Sequence, residues 1–237
     1  MRNPGIDKGL KEITEFRKGN PGNRVIVSLF ATKISDFKEL VEKAVGIKPE
    51  IIELNLSCPN VDMNLGQPLG MEKGAAGQII KETKKLSGKV PLLAKLSPNV
   101  SNIAEIAKAC EQGGADGIVA INTVGPGMII DINKRRPVLG ALKGGVSGPG
   151  ILPVTIRCVY EIYEAVKIPI IGMGGISKWQ DVVEIMMAGA TLVGIGSITY
   201  IKGMKVYDEI TRGLTEYMKN TNQKINDLIG AAHNKSI

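Results

Sequence analysis

The sequence predicts an α/β fold in which parallel strands alternate with helices. Six short apolar runs have the length of buried strands, and they cover residues 25–31, 51–57, 92–97, 117–123, 169–175 and 191–197. Segments with helical periodicity separate most of these runs. Because strand and helix alternate, we expect parallel strands joined by right-handed crossovers.

Two of the helical segments have clear beginnings and apolar faces. Ser101 begins one, whose buried face is predicted to consist of Ile103, Ile106, Ala107 and Cys110. Ser177 begins another, with Gln180 three residues later at the position of a capping box.

Polar residues at the strand ends favour a barrel over an open doubly wound sheet. Because side chains alternate along a strand, residues two positions apart share a face: Glu53 with Asn55, Leu93 with Lys95, and Ala120 with Asn122. Each of these three successive strands therefore has a polar residue near its end on the face predicted to be the interior. A closed barrel brings such residues to one point, and a TIM barrel has eight strands in about 250 residues. We therefore predict a single domain over residues 1–237, a TIM (β/α)8 barrel that is truncated at its N-terminus and retains about six of its eight strands.

Composition and charge restrict the classes of binding partner and the cellular compartment that we expect. The chain has 237 residues, a net charge of +7 and 4% aromatic residues, and its lysines are scattered among acids. This pattern is typical of solvated helix faces and predicts no nucleic-acid binding. No apolar run reaches the about 20 residues of a membrane span, so no membrane association is expected. Three cysteines without a CxxC motif predict a cytoplasmic protein that holds no metal centre of its own.

The segment Asn55-Leu56-Ser57-Cys58-Pro59-Asn60 places chemistry at the end of a buried strand. The carboxyl ends of parallel strands are where α/β folds carry their active sites. Cys58 is the candidate base, because neighbouring donors or a cation lower the pKa of a thiol. Ser57 is a weaker candidate, since a serine needs a partner base.

The other titratable candidates fit structural roles better. Cys110 and Cys158 lie at apolar positions of helices and are interpreted as small core residues. His233, the single histidine, lies near the C-terminus in a polar segment and is expected to be exposed.

Lys95 has two compatible interpretations. A lysine inside a barrel is costly without a partner, and Glu53 on the neighbouring strand can supply one. A paired lysine can still balance the charge of a ligand that gains electrons. Asn55, Asn60 and Asn122 offer both donors and acceptors, which suits a flat ring that carries amides.

The last two predicted strands end in glycine-rich turns, at residues 172–175 and 194–197. Glycine permits close approach of the backbone to a ligand, and the loops after strands seven and eight form the usual phosphate site of a TIM barrel. Tight turns alone are the structural alternative. The long segment 124–153 is typical of a functional loop, and its cations Lys134, Arg135 and Arg136 are expected to be solvated.

Five motifs together resemble class 1 dihydroorotate dehydrogenases, most closely the 1B, NAD-linked type. In chain order they are Glu53-Leu54-Asn55-Leu56-Ser57-Cys58-Pro59-Asn60-Val61, Lys95-Leu96-Ser97-Pro98-Asn99-Val100, Ile121-Asn122-Thr123, Gly144-Gly145-Val146-Ser147-Gly148-Pro149 and Ile170-Ile171-Gly172-Met173-Gly174-Gly175. The resemblance implies an FMN-containing TIM barrel that oxidises (S)-dihydroorotate to orotate in pyrimidine biosynthesis.

The resemblance also implies roles for individual residues. Cys58 would be the catalytic base. The substrate would be bound by Asn55, Asn60, Asn122 and Thr123. The flavin would be held by Asn55, Lys95, Ile121, Gly148, Gly174, Gly175, Gly196 and Ser197, the last four around its phosphate.

Electron-transfer partners follow from the same resemblance. The 1B relatives pass electrons to a subunit with FAD and an iron–sulfur cluster, which implies a homodimer or a heterotetramer. Two alternatives stay open: a related flavin-dependent pyrimidine reductase, such as that domain of dihydropyrimidine dehydrogenase, or an inactive truncated barrel that binds only a phosphate ligand or a partner.

Overall fold

A curled sheet of six parallel strands forms the centre of the molecule. The computed structural model describes residues 3–56 and 72–234. Within them the sheet has the order β1-β2-β3-β4-β9-β10. Its strands are β1 (Ile26–Leu29), β2 (Ile51–Asn55), β3 (Leu92–Leu96), β4 (Gly117–Ala120), β9 (Ile170–Met173) and β10 (Leu192–Gly194). All six predicted strands are confirmed, each shorter than predicted, as an α/β half-barrel.

Helices follow the strands and cover the outer face of the sheet. They are α1 (Ile6–Gly19), α2 (Ile34–Val45), α3 (Lys73–Ser87), α4 (Ile103–Gln112), α5 (Leu152–Ala165), α6 (Trp179–Met187), α7 (Ser197–Lys202), α8 (Lys205–Thr221) and α9 (Ile225–Leu228). The strands pair in parallel in chain order, apart from the step from β4 to β9. Closure of this sheet by two further strands stays a prediction.

The core lies between the sheet and the helices. Its largest fully buried side chains include Phe37, Ile52, Leu92 and Ile162. The predicted apolar face of α4 is confirmed, because Ile103, Ile106, Ala107 and Cys110 are all buried. Burial of such aliphatic side chains is the main source of the stability that holds the strand ends in register.

The start of α6 differs from the sequence prediction. The helix begins at Trp179, and the side chain of Asp181, not Gln180, caps it. The Asp181 carboxylate accepts hydrogen bonds from the backbone N–H and the hydroxyl of Ser177 (2.7 and 2.9 Å). A charged carboxylate at a helix N-terminus is favoured by the positive end of the helix dipole, which explains why Asp181 takes the role.

An arm formed by residues 124–146 interrupts the strand–helix alternation between β4 and α5. It contains two small antiparallel pairs, β5 (Val124–Gly127) with β8 (Gly144–Val146), and β6 (Ile130–Asp131) with β7 (Arg136–Pro137). The predicted long loop is therefore partly ordered as hairpin structure. The cations of 134–136 lie in exposed positions, as predicted.

Helix α1 is tied to the amino-terminal side of the sheet by one arginine. Arg17 donates to the carbonyl groups of Ile47 and Lys48 (both 2.9 Å) and to Glu50 Oε1 (2.6 Å). Glu50 also accepts a hydrogen bond from the Val25 backbone N–H, and that bond, with the Arg17 charge, lowers the pKa of its carboxyl.

His233 is not an exposed tail residue, and that prediction was wrong. Its side chain is 14% exposed and its ring stacks on Tyr160, with ring centroids 3.7 Å apart. Nε2 lies 3.0 Å from the Ala188 carbonyl oxygen, at the C-terminal end of α6. Since β10 starts from that end of α6, His233 lies at the opposite end of the sheet from Asn122 and takes no part in the candidate site.

Candidate active site

The polar strand ends meet at one level of the sheet. Asn55 pairs in register with Lys95. Leu96 is the register partner of Ala120, the last residue of β4, so the segment that follows β4 leaves the sheet beside the end of β3. The predicted convergence of these strand ends is therefore confirmed by the register of three neighbouring strands.

Two asparagines join across the ends of β2 and β4. Asn122 Nδ2 donates to Asn55 Oδ1 at 3.2 Å, and both side chains are partly buried. Asn122 Oδ1 in turn accepts from the backbone N–H of Thr123 at 2.8 Å. An amide held at both ends keeps a fixed orientation, so these side chains are suited to position a planar polar ligand.

Lys95 is paired with Glu53, as the structural interpretation of the sequence predicts. Lys95 Nζ lies 3.7 Å from Glu53 Oε1, and the two side chains are 18% and 9% exposed. Ser28 Oγ, on β1, donates to the same oxygen of Glu53 at 2.6 Å. The Glu53 carboxylate is therefore held on both sides, by the Lys95 ammonium group and by the Ser28 hydroxyl.

The segment after β4 carries Ile121 and Thr123. Ile121 is buried, and its backbone N–H donates to the Met173 carbonyl at 2.8 Å, which brings the ends of β4 and β9 together. Thr123 lies between two loops. Its carbonyl accepts from Asn99 Nδ2 at 3.1 Å, and on its other side Gly145 approaches so closely that a Cβ there would overlap Thr123 Oγ1.

The first glycine turn is packed against the protein itself. Gly174 (φ 126°) and Gly175 (φ 84°) both have left-handed backbone conformations. A Cβ on Gly174 would lie 2.6 Å from Thr155 Oγ1, and one on Gly175 would lie 2.6 Å from the Leu152 backbone nitrogen. Contact with the start of α5 therefore explains why both residues are glycine, whether or not a ligand binds there.

The other proposed flavin glycines are packed less closely by the described residues. Apart from the chain neighbours of each glycine, no atom of residues 3–56 and 72–234 lies within 4 Å of a Cβ built on Gly148 or on Gly196. Gly148 is nevertheless a buried residue and has a φ of 97°. Gly196 immediately precedes Ser197, the first residue of α7. Packing against the described residues therefore does not explain why a glycine stands at either position.

Cys58 and Asn60 lie outside the described residues, so their predicted roles stay predictions. The two cysteines that the structure describes are buried core residues, as predicted. Burial raises the pKa of the Cys110 thiol to about 12. It also raises the pKa of the Cys158 thiol to about 11, although Arg157 partly opposes the shift. Neither is a thiolate at neutral pH.

Two further kinds of feature are absent from the described part of the chain. Residues 3–56 and 72–234 contain no group of three or more His, Cys, Asp or Glu side chains arranged to hold a metal ion. In the same residues no helix combines the length and the apolar character that crossing a bilayer requires.

A half-barrel with amides and a lysine at its carboxyl edge is typical of a barrel enzyme that binds a polar planar ligand, and comparison with known proteins specifies the family. The family model described as dihydroorotate dehydrogenase matches residues 1–218. The chain belongs to the dihydroorotate dehydrogenase family and is therefore an oxidoreductase.

Curated relatives agree over almost the whole chain. The catalytic subunit of dihydroorotate dehydrogenase B (NAD(+)) from Pyrococcus horikoshii is 42% identical over 233 residues, which are 98% of this chain and 75% of that protein. The same-named protein of Methanosarcina acetivorans is 41% identical over 98% of this chain and 74% of its own length. That of Desulforamulus reducens is 42% identical over 98% and 76%.

Proposed function

We propose that this chain carries out the FMN-dependent oxidation of (S)-dihydroorotate to orotate. The observation that carries the proposal is the cluster at the carboxyl edge, where Asn122 Nδ2 lies 3.2 Å from Asn55 Oδ1 and Lys95 is the register neighbour of Asn55. Amide donors and acceptors beside a paired cation match a pyrimidine ring that carries amide groups and a carboxylate. The dihydroorotate dehydrogenase family membership supports the same substrate.

The residues present fit a flavin. Lys95 lies at the carboxyl edge of the sheet beside Glu53, and the described residues do not crowd the Cβ positions of Gly148 and Gly196. A flat ring needs polar contacts at its edge and close backbone approach, and this donor set offers both. When bound, FMN supplies the acceptor for the hydride that leaves C6 of the substrate.

Each polar residue has a task in the proposed reaction. The thiolate of Cys58 removes the proton from C5, and the electron pair of that C–H bond forms the new C5–C6 double bond. Asn55, Asn60, Asn122 and Thr123 hold the pyrimidine so that C5 faces the thiolate. Lys95 balances the negative charge that the site gains during the reaction. Glu53 keeps the Lys95 ammonium oriented, and the ammonium can still donate an N–H to the ligand.

The flavin phosphate is assigned to the turns after β9 and β10. Gly174, Gly175, Gly196 and Ser197 offer backbone N–H groups there, and Ile121 and Gly148 contribute apolar and close-approach contacts to the ring. Packing against α5 accounts for the glycines at 174 and 175, so the open turn at 196–197 supports this assignment more directly.

A partner subunit fits the same function. The relatives named above are catalytic subunits of an NAD(+)-linked enzyme. We infer that this chain passes electrons to a subunit with FAD and an iron–sulfur cluster, and that it forms a homodimer or a heterotetramer in the cytoplasm.

Replacement of the proposed base tests the function. Cys58→Ala should leave FMN bound, seen in the flavin absorbance of the purified protein, and reduce the rate of dihydroorotate oxidation about 10²- to 10⁴-fold, because the general base is lost. Cys158→Ala is the matched control, since it removes a buried thiol of α5 and should retain the rate.

Three outcomes would contradict the proposal. Full turnover in Cys58→Ala would remove the base assignment. Protein that perturbs its flavin spectrum with uracil but not with orotate would be a different pyrimidine reductase. Protein that stays colourless after incubation with FMN would have no flavin function.

A further inference from the structure

Asn99, which follows β3, holds the backbone of the segment that follows β4. Asn99 Nδ2 donates to the Thr123 carbonyl at 3.1 Å, and Asn99 Oδ1 accepts from the Gly125 N–H at 2.9 Å. Its own backbone N–H donates to Ser97 Oγ at 3.1 Å. One partly buried side chain therefore joins the ends of two neighbouring strands.

The two contacts require a carboxamide. Asparagine is the side chain of this length that donates and accepts at once. A carboxylate of the same shape accepts from Gly125 but faces the Thr123 carbonyl oxygen with no proton to give. Alanine leaves the carbonyl of Thr123 and the N–H of Gly125 without these partners.

The clamped segment includes two of the proposed substrate ligands. The backbone of Asn122 is anchored to the end of β3, because its N–H donates to the Leu96 carbonyl at 2.9 Å. Thr123 is held by Asn99 on one side and by the close approach of Gly145 on the other. The orientation of this segment therefore depends on Asn99, which bonds its backbone at Thr123 and Gly125.

We propose that Asn99 is a positioning residue for the substrate, because its carboxamide holds Thr123 and Gly125 and thereby aims Asn122 and Thr123 at the pyrimidine. This inference rests on the proposed function of those two ligands. Asn99 itself acts through the backbone, so its loss should weaken substrate binding more than it slows the chemical step.

Two variants of Asn99 and one neighbour test the proposal in the flavin-loaded protein. Asn99→Ala should raise KM for dihydroorotate and Kd for orotate about tenfold, the effect of one to two lost hydrogen bonds, with kcat changed less than about threefold and flavin content unchanged. Asn102→Ala is the matched control, because Asn102 caps α4 through the Glu105 N–H and, within residues 3–56 and 72–234, bonds Glu105 and no proposed substrate ligand.

The isosteric variant Asn99→Asp supplies a second, pH-dependent readout. At about pH 8 the carboxylate should weaken orotate binding as strongly as alanine does. Toward about pH 4, near the ordinary aspartic acid pKa of ~3.9, a protonated carboxyl regains a donor, and orotate affinity relative to the unmodified protein should recover in part. A residue that merely supports the fold would show no such recovery.

Hydrogen exchange separates failure of this inference from failure of the proposed function. Exchange at the Gly125 amide should be faster in Asn99→Ala and unchanged in Asn102→Ala, with or without substrate. Normal orotate affinity in Asn99→Ala, alongside lost affinity in Asn122→Ala, would overturn the positioning role and leave the proposed function intact. Normal affinity in Asn122→Ala would overturn the proposed function, and unchanged exchange at Gly125 would overturn the clamp by itself.

Discussion

Two stretches of the same sheet edge are built by different means. At the ends of β2, β3 and β4, side chains provide the structure: Asn122 bonds Asn55, and Glu53 holds Lys95. At the end of β9 the backbone provides it, because Gly174 and Gly175 bring the main chain against the start of α5. Substitutions at the first stretch should disturb buried polar pairs and binding chemistry, whereas substitutions at the second should disturb the packing of the backbone.

Gly175→Ala should have the largest effect on stability. The new Cβ would lie 2.6 Å from the Leu152 nitrogen, and the residue has a φ of 84°. The left-handed conformation and the overlap together should lower the free energy of unfolding by about 4 kcal/mol, measured by urea denaturation.

Gly150→Ala is the control for that variant. Gly150 lies in the same region, and apart from its chain neighbours none of the described residues places an atom within 4 Å of its Cβ position. Its free energy of unfolding should stay within about 0.5 kcal/mol of the unmodified protein. Equal stability of both variants would show that the β9 turn is not a packed element.

Lys95→Met should have the next largest effect. The Glu53 carboxylate, which is 9% exposed, then keeps the hydrogen bond from Ser28 but loses its cation, and loss of one member of a buried pair costs about 3 kcal/mol. The double variant Lys95→Met/Glu53→Gln should regain most of this loss, since the neutral amide needs no cation. Additive losses in the double variant would mean that the two groups do not interact.

The smallest effect is expected for alkylation of the native protein, in which the two described cysteines should not react. Their thiol pKa values are raised to about 12 for Cys110 and about 11 for Cys158, so both are protonated and buried at about pH 8. Iodoacetamide should therefore leave Cys110 and Cys158 unlabelled in the native protein and label both after denaturation. Native labelling of Cys110, found by peptide mass spectrometry, would contradict the buried core that the structure shows around α4.

The strands and the polar residues at the carboxyl edge of the sheet were predictable from the sequence. Apolar runs such as 51–57 are local signals, and the alternation of Glu53 and Asn55 places both on one face without knowledge of the fold. The Lys95–Glu53 pair was predictable for the same reason, because an enclosed lysine needs an anion on a neighbouring strand.

Contacts between distant segments were not predictable in the same way. His233 is polar and near the C-terminus, yet it stacks on Tyr160 of α5, 73 positions earlier by the difference of the two residue numbers. Asn99 stands in a family-like motif, but only the three-dimensional course of the segment after β4 shows what its amide binds. The signal available for Asn99 was its position directly after Ser97-Pro98 at the end of a strand.

The arm of residues 124–146 is anchored at its root and free at its tip. At the root, a side chain larger than hydrogen on Gly145 would displace Thr123, so this position tolerates little variation. At the tip, residues 132–135 are exposed to solvent. The sequence of the tip can therefore change during evolution without disturbing the residues at the root. Such changes would alter the surface that a neighbouring molecule contacts, while the chemistry at the other end of the segment stays the same.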